Sequence, residues 1–140
     1  MKIDKYEFPD DLLYDKEHNW ARVEGNTITQ GLTDFGQNLA GEIVYVEIPR
    51  AGRAVTQGEP FMSMESGKWV GRIKAIVSGK LAGANEELEW ESATINRSPY
   101  EDGWLVKIEV ADAAQLGTLL HPSDPAFQEF IAAERAKYKK

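Results

Sequence analysis

The chain has 140 residues, 42% hydrophobic and 28% charged, with a net charge of −7 and no cysteine. That size fits one domain with a real core, and the missing cysteine excludes disulfides, thiolate metal sites and cysteine nucleophiles, so any sulfur chemistry must come from a cofactor. The negative charge opposes binding to a phosphate backbone and suits basic protein partners; no apolar run approaches membrane-spanning length and residues 1–11 lack a signal-peptide core, so neither nucleic acid nor membrane is expected as a partner and a cytoplasmic location is.

Residues 1–14 read as an irregular or partly helical lead-in. From Trp20 the pattern changes to short β runs, and Trp20–Glu24 and Thr27–Leu32 flank Gly25-Asn26, a two-residue turn of the kind that closes hairpins. Thr33–Leu39 is expected to form a helical turn or so, with Thr33 as N-cap. Glu42–Ile48 alternates, with Ile43, Tyr45 and Glu47 on one face and Val44, Val46 and Ile48 on the other, and reads as a strand. Gly52–Phe61 and Gly79–Leu88 form a weak internal repeat, each running from a glycine and a basic residue through apolar positions to a glutamate and a large apolar residue. Between the copies, Phe61–Glu65 and Ile73–Val77 read as paired strands, and two similar β halves joined at one hairpin imply a flattened sandwich with quasi-two-fold symmetry. Gly103–Val110 is a further strand, and Ala111–Leu120 is expected to be helical. Ser123-Asp124-Pro125 opens a terminal helix, with Phe127, Phe130, Ile131 and Ala133 at helical spacing.

Lys68 stands apart from the other lysines by its neighbours. Gly67 precedes it, Trp69 follows, and the next strand begins near Gly71, which places Lys68 at the exposed end of a tight turn. A residue there is backed by a rigid sheet and open to another protein's active site. On periodicity alone it is an ordinary solvated hairpin lysine, as most turn lysines are.

The surrounding motifs change that reading. Glu65-Ser66-Gly67-Lys68-Trp69 resembles the lipoylation motif of the glycine cleavage H-protein family, usually Glu-Ser-Val-Lys-Ala. Tyr14-Asp15-Lys16-Glu17-His18-Asn19-Trp20 resembles the family's opening signature, and Gly31–Phe35 and Gly41–Pro49 resemble its next two blocks. Asn96–Leu105, with its Pro-Tyr and Gly-Trp-Leu groups, resembles a late block, so the likeness spans residues 14–110 in the family's order. It implies a mainly β fold with short helices, a lipoyl/biotinyl-type barrel-sandwich hybrid with a C-terminal helix. The chain would be a single lipoyl-carrier domain over residues 1–140, with a core at 14–120 and the helix at 124–139.

The same resemblance implies lipoate amide-linked to Lys68 within the motif Glu65, Ser66, Gly67 and Trp69. The chain would then be a non-catalytic carrier whose cofactor does the chemistry. It also implies lipoate ligase or lipoyl-assembly enzymes as partners, together with the complex that loads and unloads the arm.

Two departures bear on the cargo. The family's carboxylates near the arm fall at Asn19 and Arg72 here, beside His18 of the signature. At an effective dielectric of about 20 and a separation of about 4 Å, a unit-charge contact is worth roughly 4 kcal/mol, much less when solvated. The sign disfavours an ammonium and favours an anion or a neutral cargo. The run Glu65–Gly71 resembles, more than it does a true H protein, the H-like lipoate-binding branch that carries a sulfur intermediate beside heterodisulfide-reductase-like complexes in sulfur oxidation; an anionic intermediate would fit Arg72, and that branch is the expectation. The alternative is a glycine cleavage H protein, which takes an aminomethyl group from glycine decarboxylase to the aminomethyltransferase.

Other readings fit less well. Biotin carriers usually set their lysine between methionines, unlike Gly67 and Trp69. His18 and His121, the only histidines, stand in no triad pattern, and no metal-ligand spacing is present. The two Gly-Lys pairs lack the Ser or Thr that a phosphate loop needs. Glu86-Glu87 reads as a solvated turn.

Overall fold

The computed structural model describes residues 1–138. A small hairpin, β1 (Lys2–Ile3) and β2 (Tyr6–Glu7), leads into β3 (Leu13–Tyr14). This lead-in is β and not the irregular or partly helical segment expected. Tertiary pairing decides it: Tyr14 and Leu120 exchange backbone hydrogen bonds at 2.8 and 2.7 Å, and Phe8, Leu12 and Tyr14 are fully buried.

β4 (Asn19–Glu24) and β5 (Thr27–Leu32) form the expected hairpin, with Glu24 opposite Thr27 and Gly25 at φ 64°. Helix α1 (Asp34–Ala40) follows, capped by Thr33, whose Oγ1 accepts from Gly36 N at 3.0 Å. β6 (Ile43–Val46) departs from the strict alternation expected of it. A register shift between Ile43 and Tyr45 turns Val44 and Tyr45 both outward, leaving Ile43 and Val46 buried.

β7 (Ala54–Val55) and the start of β10 (Gly79–Ala84) pair antiparallel, Val55 opposite Gly79. Gly52 N donates to Leu81 O at 2.7 Å and Leu81 N to Arg53 O at 2.8 Å, so the two copies of the repeat meet along their own pairing axis. Between them run β8 (Pro60–Ser66) and β9 (Val70–Lys74). β9 starts earlier than the Ile73–Val77 expected and ends at Lys74, because the turn closes tightly and Glu65 pairs with Val70.

The stretch read as a solvated turn is a 3-10 turn at Glu86–Glu89 that buries Leu88. The four-residue helix α2 (Thr94–Arg97) is too short to leave a periodic signal. β11 (Val106–Val110) is central, and Ala113–Thr118 forms a 3-10 turn with no buried residue in place of the helix expected over Ala111–Leu120. Helix α3 (Pro125–Lys137) starts with its proline as read; the far end of the expected helix, at Lys139, lies outside the described residues.

Six strands order as β3-β4-β5-β11-β10-β7 and three as β6-β8-β9. Ile28, Ile43, Met64, Leu81, Val106 and Ile108 fill the space between these layers. Each such side chain contributes roughly 1.5–3 kcal/mol by leaving water. A second cluster, with Phe8, Tyr14, Trp20, Phe35, Phe127 and Ile131, holds α3 against β4 and α1. Among the described residues no helix is long and apolar enough to cross a membrane.

Candidate functional site at the β8–β9 turn

Ser66 N donates to Trp69 O at 2.8 Å, closing a turn whose two central residues are Gly67 and Lys68. The Ser66 hydroxyl uses both of its capacities: it donates to Ala40 O at 2.5 Å and accepts from Lys68 N at 3.2 Å. One buried side chain thus ties the turn to the end of α1 and holds the lysine's own backbone. Glu65 points to solvent on the outer face. A side chain at Gly67 would meet open space, so the fold does not require glycine there. Lys68 itself is exposed, and its aliphatic chain crosses Gly41, where a Cβ would stand 2.7 Å from Lys68 Cε.

Beside this turn lies a cleft of about 260 Å³. Leu32, Leu39, Ala40, Trp69 and Ile73 give it an apolar lining, with Glu17, His18, Arg72, Lys74 and Tyr138 also on its walls. Trp69 is half-buried and folds over Gly71, into space that a side chain at position 71 would need. The cleft's charges divide unevenly: Lys74 pairs with Glu17 at 3.3 Å, whereas Arg72 has no carboxylate within pairing distance among the described residues.

His18 adopts φ 66°, and its ring lies between Phe35 and Phe130 at centroid distances of 5.2 and 5.3 Å. Its Nε2 is 2.7 Å from Glu134 Oε1. A carboxylate only accepts, so Nε2 carries the hydrogen, while the buried Nδ1 has no partner among the described residues. The contact fastens α3 to the cleft wall.

Of the residues singled out in the sequence, Lys68, Ser66 and Trp69 gather at the turn, and His18 and Arg72 line the cleft. Asn19 does not line it: it is 1% exposed, and its backbone N and Nδ2 both donate to the Asp15 carboxylate at 2.9 Å. Burial pushes the Asp15 carboxyl above its ordinary value, against the pull of these Asn19 hydrogen bonds. The sequence reading missed Gly41, Gly71, Lys74 and Glu134. Only the glycines left a signal, as residues bounding predicted strands.

The exposed amine, the bare Gly41 beneath its chain and an apolar cleft starting at Ala40 suit an amide-linked arm with a small apolar ring at its end.

Residues 12–131 match the family model described as glycine cleavage H-protein. The chain is 47% identical over 123 residues to the glycine cleavage system H protein of Staphylococcus haemolyticus, covering 88% of this chain and 96% of that one. It is 46% identical over 112 residues to that of Bacillus cereus, covering 80% and 88%. The fold is similar to the crystal structure of a glycine cleavage system H protein from Mycobacterium marinum, with a TM-score of 0.78 and 28% identity over 91% of this chain and 98% of that one. These likenesses agree with the barrel-sandwich fold expected, and the relatives' names favour the glycine cleavage alternative over the sulfur-oxidation reading.

Proposed function

The chain belongs to the glycine cleavage H-protein family, and we propose that it acts as one carrier domain with lipoate amide-linked to Lys68. The family is a non-catalytic component of a multienzyme system and carries lipoate on a lysine. The observation that carries the assignment to Lys68 is its place in the two-residue β8–β9 turn, exposed, with its backbone held by Ser66. When bound, the group supplies a disulfide that opens to two thiols, one of which takes the cargo. The protein's own part is to present, orient and shield. Ser66 fixes the turn, Gly41 leaves room for the lysine chain, and Trp69 with Leu39 and Ile73 offers an apolar wall.

The relatives support an aminomethyl group as cargo, with glycine decarboxylase and the aminomethyltransferase as partners; a cytoplasmic location belongs to the same proposal. One observation favours the second reading, a sulfur intermediate exchanged with a heterodisulfide-reductase-like complex: Arg72 brings an unpaired cation to the cleft. Two measurements test these claims. Mass spectrometry of protein made in a lipoate-competent cell is expected to show the lipoyl mass on Lys68 and none in Lys68→Arg; a modified Lys68→Arg chain refutes the site. Aminomethyl transfer from glycine by the lipoylated chain with glycine decarboxylase is expected, and its failure leaves the sulfur cargo.

A further inference from the structure

The three-stranded sheet turns large apolar side chains into water beside Lys68. Val44, Tyr45 and Val70 are 63%, 54% and 72% exposed. The register sets Tyr45 opposite Glu65 and Glu65 opposite Val70, so the row crosses all three strands and ends two residues from the lysine. Trp90, 81% exposed, follows the 3-10 turn Glu86–Glu89, which packs on β6. Ser92 Oγ donates to Ile43 O at 3.0 Å, and Ile43 stands opposite Ser66, so this segment flanks the end of β6 nearest the lysine turn. Glu42, Glu65 and Glu89 are exposed around these residues, and none has a cation within pairing distance among the described residues.

We infer that this face docks the enzyme that acylates Lys68, a partner offering an apolar pocket rimmed by lysine and arginine side chains. The inference rests on Lys68 being the attachment site. That enzyme meets the chain before any arm exists, so it has only the protein surface around the turn to hold. Enzymes that use the arm are reached across its length. Unpaired glutamates beside exposed aromatics complement a cationic rim and repel an acidic one, and Trp and Tyr are the residues on which interface affinity concentrates. In the reaction served, the neutral Nζ attacks the acyl carbon of a lipoyl adenylate. The N–C bond forms, the C–O bond to AMP breaks, and the amine proton passes to solvent.

The test is the initial rate of lipoylation of the full chain by purified lipoate ligase with ATP and lipoate, followed by intact mass over a range of carrier concentrations. Trp90→Ala and the double variant Tyr45→Ala/Val70→Ser are each expected to raise KM about tenfold with kcat unchanged, the loss typical of an interface anchor. Trp90→Phe is expected to restore most of it, and added salt to raise the wild-type KM. Melting curves of the variants should match wild type, separating docking from folding. KM within twofold of wild type in both variants overturns the docking face, as does a fall in kcat with KM unchanged. If the wild-type chain itself never gains mass at Lys68, the attachment reading has failed instead.

Discussion

Gly41 lies beneath the side chain of Lys68, 27 residues away in sequence, and a Cβ at position 41 would stand 2.7 Å from Lys68 Cε. Gly41 also sits at φ 85° and ψ −175°, where L side chains are strained. Gly41→Ala is therefore expected to cost about 1–3 kcal/mol and to displace the lysine chain. Calorimetry reads the first effect and the lipoylation rate the second. A melting point equal to wild type would contradict the strain argument.

The contact between His18 and Glu134 joins the cleft wall to α3. Glu134→Ala leaves the Nε2 hydrogen without an acceptor between two phenylalanine rings, at an expected cost of about 1–3 kcal/mol. Limited proteolysis should cut within α3 faster in the variant. Equal cutting rates would mean that Phe127 and Ile131 alone hold the helix.

Asp15 sets a pH dependence. Its folded carboxyl is raised above the usual 3.8, so the fold prefers the protonated form. Its contribution to stability is full below that value and is lost as pH rises from 3.8 through the higher folded value. The melting point of wild type minus that of Asp15→Asn is expected to fall between pH 4 and neutrality. A difference that grows with pH would reverse the sign of the assignment.

Arg72 is exposed on the cleft wall, so its charge acts weakly. Arg72→Glu is expected to raise the efficiency of aminomethyl transfer by about twofold to fivefold, the scale of solvated charge contacts. The measurement is transfer from glycine by lipoylated wild-type and variant chains. A lower efficiency in the variant would show that the cation assists the amine-bearing cargo.

Much of this site is written locally. Gly25-Asn26 announces its hairpin, Thr33 its helix, and Gly67-Lys68 its turn, because turn chemistry and capping act over a few residues. Facing was harder to read. The shift in β6 adds one residue against its partner, so Val44 and Tyr45 both face outward where alternation assigns them to opposite sides.

By itself the sequence determined the family, the β character, the place of Lys68 at a bend and the charge of Arg72. Folding alone decided that Gly41 would underlie the lysine, that Trp69 would lie over Gly71, that Asn19 would be buried with Asp15 away from the cleft, and that Glu134 would reach His18 across 116 residues. Short-range steric and hydrogen-bonding preferences leave a mark in neighbouring residues. Contacts between distant segments exist only once the two sheets and α3 have closed on a shared core, and no local pattern records which side chains then meet.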